Sequence, residues 1–267
     1  MKKTLLTICL VWMCFSLSAQ KIIDLSGKWS FSIDRQDNGE KEKWFSHTLN
    51  DFINLPGSMP EKLKGDEVTA KTQWTGSLYD SSYYYNPYME KYRKEGNIKF
   101  PFFLTPDKHY VGAAWYQKEV NIPADWKGER ILLFLERPHI ETTVWVNGQK
   151  TGMQNSLCVP HQYDITRYVR PGKCTITIRV DNRIKEINVG PDSHSITDQT
   201  QGNWNGIVGR ICLQTTPKTY FDDIQIYPEP EQKLARVKVV IKGTGTAKVK
   251  LSAESFNTDK KDRKSVV

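Results

Sequence analysis

The chain has 267 residues and a formal net charge of +8 at pH 7, and 25% of its residues are charged. This length is sufficient for one large domain and part of a second. Positive charges alternate with negative ones, as at Lys41, Glu42 and Lys43, which is typical of a solvated surface. Because the sequence has neither a basic helix nor zinc-finger spacing, we expect no nucleic-acid partner.

The beginning of the chain has the order of a secretory signal peptide. Lys2 and Lys3 precede a mostly apolar run, and the small residues Ser18 and Ala19 follow it. The run is too short to span a bilayer as a permanent helix. We therefore predict a signal peptide over 1–19 and export to the periplasm or the extracellular space, with no membrane association after cleavage. A buried N-terminal helix is the alternative.

Residues 57–110 are distinguished by their aromatic density, which includes Trp74 and the run Tyr83-Tyr84-Tyr85. A loop of this length inside a compact domain is usually functional or disordered. So much aromatic area needs cover, which argues against disorder. We expect an ordered loop in which Trp74, Tyr84 and Tyr85 either pack within the protein or form the wall of a ligand subsite.

Strand and turn patterns dominate from residue 110 onward. Apolar residues alternate with others over 144–146 and 176–180, which predicts half-buried strands. Asn147-Gly148 predicts a type I′ hairpin, because both turn residues need positive φ. No amphipathic helix of about twelve residues is evident. Many short strands at regular spacing predict an all-β fold, with a jelly-roll β-sandwich over 20–216.

A second change of pattern begins near residue 217. Pro217 and Pro228 bracket a predicted strand, and further strand patterns follow over 237–241 and 247–256. An immunoglobulin-like sandwich needs about 100 residues, which is more than remain. We therefore predict that residues 217–267 are the start of an immunoglobulin-like β-sandwich and form an incomplete domain.

Three cysteines follow the predicted signal peptide, namely Cys158, Cys174 and Cys212, and they have no CxxC spacing. This odd number predicts neither a disulfide framework nor a metal site, although it leaves a single disulfide open. Cys174 and Cys212 lie in predicted strands and are expected to be buried. His109 and His139 also lack metal-ligand spacing and are expected to pack or to lie on the surface. We expect no metal and no cofactor.

Short motifs occur along the chain in a distinctive order. They are Leu25-Ser26-Gly27-Lys28-Trp29, Leu55-Pro56-Gly57-Ser58-Met59, Trp115-Tyr116-Gln117-Lys118-Glu119-Val120, Val144-Trp145-Val146-Asn147-Gly148, Tyr163-Asp164-Ile165-Thr166 and Asn203-Trp204-Asn205-Gly206-Ile207. This order resembles the N-terminal sugar-binding domain of family 2 glycoside hydrolases, which include β-galactosidases, β-glucuronidases and β-mannosidases. The resemblance covers about residues 22–216. Within these motifs, Trp145 is expected to be a core residue and Asp164 to stabilise a turn.

The stretch from Thr197 to Asn205 has the composition of a sugar site, with carboxylate and amide groups, one indole ring and the backbone freedom of Gly202. The resemblance implies that the loop before the Gly-Ile motif contributes polar substrate contacts. Matching residue by residue carries this role to Asp198, Asn203, Trp204 and Asn205. The alternative is an Asn- and Gly-rich turn stabilised by its own side chains.

The resemblance also implies a galactose-binding-like jelly roll and, in the complete enzyme, hydrolysis of O-glycosyl bonds. In this family both catalytic glutamates lie on strands of a (β/α)₈ barrel, which takes about 250 residues. No such length follows the second predicted domain, so the implied partner is the missing barrel of the same polypeptide. Glu119, Glu136 and Glu141 lie in predicted sandwich strands, and we nominate no catalytic residue.

We interpret the chain as the N-terminal carbohydrate-binding portion of an exported family 2 glycoside hydrolase, with a β-glycoside or glycan as its ligand. Two alternatives stay open. In the first alternative the chain is a free-standing, non-catalytic carbohydrate-binding module. In the second it is an inactive truncated product.

Overall fold

The computed structural model of the protein describes residues 20–78, 80–101, 103–185, 192–244 and 248–252. The predicted signal peptide lies outside these ranges and stays a prediction. Among the described residues, no helix has the length and apolar character that crossing a membrane requires.

Most regular structure in the described part of the chain is β-strand. The helical elements there are α1 (Ser82–Tyr85) and the 3₁₀ turns Trp44–Ser46, Pro87–Tyr92, Ala124–Trp126 and Pro230–Gln232. In chain order the strands are β1 (Ile22–Asp24), β2 (Gly27–Asp34), β3 (Asp51–Leu55), β4 (Gly57–Ser58), β5 (Asp66–Glu67), β6 (Lys108–His109), β7 (Ala113–Ile122), β8 (Arg130–Pro138), β9 (Glu141–Val146), β10 (Gln149–Asn155), β11 (His161–Asp164), β12 (Gly172–Asp181), β13 (Gly206–Thr216), β14 (Tyr220–Glu229) and β15 (Leu234–Lys242).

Two antiparallel sheets form the body of the fold. The first has the strand order β1-β13-β8-β11, with β4 paired to β13, and the second has the order β10-β9-β12-β7-β2-β3. All ten residues of β12 pair with β7 on one side, and its C-terminal part pairs with β9 on the other. The predicted all-β jelly-roll sandwich is confirmed.

The main core is built from alternate residues of the strands in both sheets. Tyr116, Ile176 and Ile178 of the second sheet belong to the same buried cluster as Leu133 and Leu135 of the first sheet. All five side chains are fully shielded from solvent. Burial of a side chain of this kind contributes about 1.5–3 kcal/mol. The core therefore fixes the strand ends from which the long loops leave.

A second aromatic cluster is buried on β7 and β9, which differs from the half-buried strands that the sequence predicts. All six residues of β9 are buried, and the rings of Trp115 and Trp145 stack with centroids 4.9 Å apart. Phe45 and Leu49, from the segment between β2 and β3, pack on these rings. The Trp115 Nε1–H also donates to the buried Asp34 carboxylate (2.9 Å). Trp145 is a core residue, as predicted.

The two local turn predictions are confirmed. Asn147 and Gly148 connect β9 to β10 with φ values of +50° and +77°, as a type I′ turn requires. Asp164 accepts a hydrogen bond from the backbone N–H of Thr166 (3.1 Å), and its other carboxylate oxygen accepts one from Arg130 Nε (2.8 Å).

The cysteines also match their predicted packing roles. Cys174 and Cys212 are buried, Cys158 is exposed, and all three thiols are free. Burial raises the pKa of the Cys174 thiol to about 11. This thiol is therefore protonated at neutral pH and packs as a small apolar group.

The chain after residue 217 contains one hairpin in its described part. Strands β14 and β15 pair antiparallel from Tyr220 with Lys242 to Glu229 with Leu234, with a register shift between Phe221 and Asp223. Phe221 and Ile226 are more than half exposed, so the hairpin has an incompletely covered apolar surface. Of the strand predicted over 247–256, the structure describes only 248–252, and these residues are not in a strand. The interpretation of this region as the start of an immunoglobulin-like domain stays a prediction.

A cluster of charged side chains surrounds the C-terminal end of β12. Asp181 is fully buried and forms ion pairs with Arg179 (3.1 Å), Arg183 (2.5 Å) and Lys185 (2.8 Å). Burial by itself would raise the pKa of Asp181. Hydrogen bonds from Arg183 and Lys185, together with the charge of Arg179, outweigh burial and hold this pKa well below its usual range.

We expect Asp181→Asn to lower the free energy of unfolding at pH 7 by about 3 kcal/mol, because three cations lose a shared buried carboxylate. Since the folded-state pKa of Asp181 is depressed, its contribution is complete above the unfolded-state pKa of about 3.9 and is lost as the pH falls below that value. Urea unfolding of wild type and variant at several pH values measures this contribution, and the difference should narrow in acid.

The matched control is Glu119→Gln, which removes an ion pair between Glu119 and Lys173 that is exposed on both sides. Exposed pairs contribute little to stability. An equal loss of stability in the two variants would contradict the assignment of Asp181 as the centre of the cluster.

Candidate functional site

A cleft of about 910 Å³ lies beside the start of β13, and we name it the main cleft. Its walls come from the turn after β4, from the aromatic segment (residues 66–109) and from the polar loop (residues 192–205). Pro60, Phe103 and Trp204 represent these three walls. The volume is within the range of small-molecule sites, about 300–1,000 Å³. The main cleft is the candidate site.

A close backbone approach at Gly206 holds the end of the polar loop against β4. Gly206 pairs with Ser58 and has a φ of +147°. A Cβ atom at this position would lie 2.5 Å from the carbonyl oxygen of Gly57, so only glycine fits. The backbone N–H of Met59 donates to the carbonyl of Asn205 (2.7 Å). The polar loop therefore enters β13 at a fixed position.

Asn205 is fully buried and uses its amide within the protein. Its Nδ2 donates to the carbonyl oxygens of Gly112 (2.9 Å) and Val180 (3.0 Å), and its Oδ1 accepts from the Tyr116 hydroxyl (2.8 Å). Burial raises the pKa of this hydroxyl well above its usual value, so the hydroxyl stays protonated. Asn205 thus connects the polar loop to β7 and β12.

Asn203 is also buried, and its partners lie in two other segments. Its Nδ2 donates to Thr75 Oγ1 (3.0 Å) and to the carbonyl of Asn182 (3.1 Å), while its Oδ1 accepts from Asn182 Nδ2 (3.0 Å). Asn182 in turn binds the backbone at Tyr110 and Gly112 (both 2.8 Å). These amides satisfy backbone groups that no strand ladder reaches.

The Asp198 carboxylate joins the polar loop to the aromatic segment. It is 1% exposed and accepts hydrogen bonds from the backbone N–H groups of Thr75 (2.7 Å) and Asn203 (2.6 Å). His109 Nε2 lies 3.2 Å from the same carboxylate. The His109 ring packs against Trp74 with centroids 4.8 Å apart. One buried carboxylate therefore fixes both walls of the main cleft.

Trp204 supplies an aromatic surface to the main cleft. It is half-buried, and its ring stacks on His139 with centroids 4.6 Å apart and planes inclined by 18°. Burial lowers the pKa of His139 to about 4, although Asn203 and the charge of Asp198 oppose this shift. The imidazole is therefore neutral at pH 7, and Trp204 rests on a flat, uncharged partner.

The described residues of the aromatic segment include a cluster of packed rings. Trp74 stacks with Phe103 (5.3 Å, 18°) and meets Phe100 in an edge-on contact (5.0 Å, 68°). Tyr85 is 72% exposed and Tyr84 45% exposed. Trp74 therefore packs within the protein, whereas these two tyrosines present much of their surface to solvent.

The charges that line the main cleft are mostly negative. The described lining residues include Glu67, Asp107 and Asp198 and one base, Lys99. Glu67 is neutralised by an ion pair with Lys108. Within the described ranges, no group of three His, Cys, Asp or Glu residues is arranged to hold a metal ion.

Three glutamates that the sequence analysis considered, Glu119, Glu136 and Glu141, lie on strands of the sandwich, and each forms an ion pair. Glu119 pairs with Lys173 (2.8 Å), and Glu136 pairs with Arg210 (3.0 Å). Glu141 belongs to the charged cluster at the end of β12. Each of these carboxylates therefore has a structural partner.

The four predicted site residues lie within one stretch of the polar loop but differ in their surroundings. Asp198, Asn203 and Trp204 line the main cleft, whereas Asn205 is not among its described lining residues. Their predicted contact with a sugar stays a prediction. Sequence reasoning did not find Thr75 and Asn182, because nothing in the local sequence distinguishes them from ordinary polar residues.

Residues 22–217 match the sequence profile of the family described as "Glycosyl hydrolases family 2, sugar binding domain". The β-glucuronidase of Homo sapiens is 24% identical over 266 residues, which cover 89% of this chain and 35% of that protein. The β-glucuronidase of Paenibacillus borealis is 25% identical over 222 residues, which cover 78% of this chain and 31% of that protein.

Solved structures of similar fold include a β-glucuronidase from an uncultured Clostridium species, with a TM-score of 0.56, 20% identity and coverage of 84% of this chain and 34% of that one. The β-glucuronidase from Ruminococcus gnavus in complex with D-glucuronic acid has a TM-score of 0.55, 17% identity and coverage of 85% and 35%. The chain spans about a third of the length of the relatives it matches. The profile match confirms the resemblance of the motifs, and the chain belongs to glycosyl hydrolases family 2, with residues 22–217 as the sugar-binding domain.

Proposed function

We propose that this chain is the N-terminal carbohydrate-binding portion of an exported glycoside hydrolase of the β-galactosidase or β-glucuronidase kind. In this proposal the main cleft supplies one side of the pocket that holds the terminal sugar. The observation that carries the proposal is the combination, in one cleft, of the Trp204 ring with the Asp198 carboxylate. A pyranose ring has an apolar C–H face that packs on an aromatic ring and hydroxyl groups that donate to a carboxylate.

Within this site the four residues have different roles. A carboxylate offers about four lone-pair positions, and three donors already occupy Asp198, so one sugar hydroxyl can still be accepted. Trp204 supplies the stacking surface. Asn203 and Asn205 direct all of their amide N–H groups to protein partners, and we assign them the positioning of Asp198 and Trp204.

The hydrolytic step in this proposal belongs to a barrel outside the present chain. A retaining glycosidase needs two carboxyl groups about 5–5.5 Å apart, one as acid/base and one as nucleophile. The main cleft is predominantly acidic in its described lining. Lys99, the one base in that lining, is the group available here to pair with the carboxylate of a uronic acid, and further cations belong to that barrel. The relatives named β-glucuronidase make a β-glucuronide the first ligand to test.

Export is the remaining part of the proposal. It is supported by the order of two lysines, an apolar run and small residues at the beginning of the chain. The three free cysteines neither support nor oppose export, because two of them are buried and pack as small core residues.

We expect Trp204→Ala to weaken binding of methyl β-D-glucuronide by about fivefold, because the loss of one stacked aromatic ring costs about 1 kcal/mol. Isothermal titration with the purified chain measures this change. Tyr88→Ala is the matched control, since Tyr88 is 85% exposed and is not among the described residues that line the main cleft. Unchanged affinity in Trp204→Ala would remove this ring from the proposed site.

Asp198→Ala should loosen both walls of the main cleft, because three donors lose their acceptor. Hydrogen exchange at the backbone N–H groups of Thr75 and Asn203 should become at least about tenfold faster, which corresponds to about 1.4 kcal/mol per group. The N–H of Thr166, which Asp164 holds elsewhere in the fold, should exchange at its original rate. Acceleration at all three positions would mean general destabilisation instead.

The purified chain should not hydrolyse p-nitrophenyl β-D-glucuronide or p-nitrophenyl β-D-galactoside, because the proposal assigns both catalytic carboxylates to the barrel. Release of nitrophenolate is followed by absorbance, with a complete β-glucuronidase as positive control. Enzyme-like turnover would overturn this division of labour. Reading the coding frame beyond Val267 then separates an enzyme portion, which continues into a barrel, from a free-standing binding module.

A further inference from the structure

A second, smaller cavity lies on the other side of the aromatic wall of the main cleft. Its volume is about 200 Å³, and we name it the aromatic cavity. Phe100 and Phe103 line both the aromatic cavity and the main cleft. The two spaces are therefore neighbours that share one wall. The smaller one lies below the range of about 300–1,000 Å³ that holds drug-sized ligands, and it suits a single small ring.

The walls of the aromatic cavity are preformed. Tyr83 stacks on Phe100 with centroids 4.7 Å apart, and its hydroxyl donates to the carbonyl of Tyr92 (2.9 Å). Arg93 donates to the Tyr83 carbonyl. Trp74 and Phe103 complete the same ring cluster. A ligand that enters this cavity therefore meets aromatic rings already held in position, which reduces the entropic cost of binding.

Two polar groups that line the aromatic cavity have unused hydrogen-bonding capacity. Asp80 Oδ1 accepts from the backbone N–H of Ser82 (2.9 Å), and Asp80 Oδ2 makes no hydrogen bond to another described residue. Trp74 Nε1 is buried and likewise has no hydrogen-bond partner in the described part of the chain. Asp80 is the only charged residue among the described residues that line the aromatic cavity.

We propose that the aromatic cavity is a subsite for one neutral hexopyranose ring, next to the sugar pocket of the main cleft. This inference rests on the proposed function of the main cleft. Phe103 is half-buried and lines the cavity, so it offers an apolar surface to the C–H face of a pyranose. The unpaired Trp74 Nε1–H can donate to a sugar hydroxyl, and the free oxygen of Asp80 can accept from one. Because Asp80 brings a negative charge without a lining cation, a uronate is disfavoured here.

The test uses the indole N–H signals of Trp74 and Trp204 as separate reporters, one for each space. The chain is labelled with ¹⁵N, and the two signals are assigned from Trp74→Phe and Trp204→Phe. Methyl β-D-glucopyranoside and methyl β-D-glucuronide are then titrated separately. We expect the Trp74 signal to shift in a saturable manner with the neutral glucoside and to respond more weakly to the glucuronide.

Asp80→Asn supplies the second measurement. It keeps the oxygen that holds Ser82 but removes the charge, so the affinity reported by Trp74 should fall about fivefold, since hydrogen bonds to charged groups are stronger. Asp107→Asn is the matched control, because Asp107 lines only the main cleft among the described residues. The Trp74 response should not change in this control.

Four results would overturn the subsite. If the indole signal of Trp204 shifts and that of Trp74 does not, the subsite is contradicted and the proposed function is unaffected. A Trp74 response that Asp80→Asn does not weaken means that binding in the main cleft is relayed through Phe100 and Phe103. A stronger response of the Trp74 signal to the glucuronide contradicts the assignment of a neutral sugar to this subsite. No response at either indole contradicts the subsite and the proposed function together.

Discussion

A buried carboxylate must receive hydrogen bonds from its surroundings, and Asp198 receives them from two parts of the chain that are far apart in sequence. Thr75 and His109 belong to the aromatic segment, whereas Asn203 belongs to the polar loop. Moving either segment would leave a negative charge without its donors, which is costly in a buried position. The main cleft keeps its shape because its two walls share this one acceptor.

The asparagines around the cleft have a second physical task. Tyr110 and Gly112 lie between β6 and β7, outside the strand ladders, so their backbone groups need other hydrogen-bond partners. Asn182, Asn203 and Asn205 carry both donors and acceptors, and they bind the backbone of Tyr110, Gly112 and Val180. A loop composition that resembles a sugar site is thus partly used by the fold itself. The groups left for a ligand are fewer than the composition suggests.

The jelly-roll sandwich could be predicted from the sequence because the signals for strands and turns are local. Alternation marks strands, and Asn147-Gly148 specifies its own turn through two positive φ values. The same alternation misjudged Arg179 and Thr177, which are buried. Side chains from distant segments shield these residues from solvent, as in the ion pair between Asp37 and Arg179. A period of two along one strand carries no information about such contacts.

The sequence predicted the loop that carries the candidate site but not the hydrogen bonds that connect this loop to the aromatic segment. Asp198, Asn203, Trp204 and Asn205 lie within eight residues, so a composition search finds them together. The partners of Asp198 are 123 positions away at Thr75 and 89 positions away at His109. Only the folded chain reveals that the aromatic segment and the polar loop meet.

The shared wall between the main cleft and the aromatic cavity has a consequence for how this protein can evolve. Phe100 and Phe103 face two spaces at once, so a mutation of either ring reshapes both compartments. Selection that acts on these two rings therefore changes both specificities together. Asp80 and Trp204, which each border a single compartment among the described residues, are the positions where one can drift independently of the other.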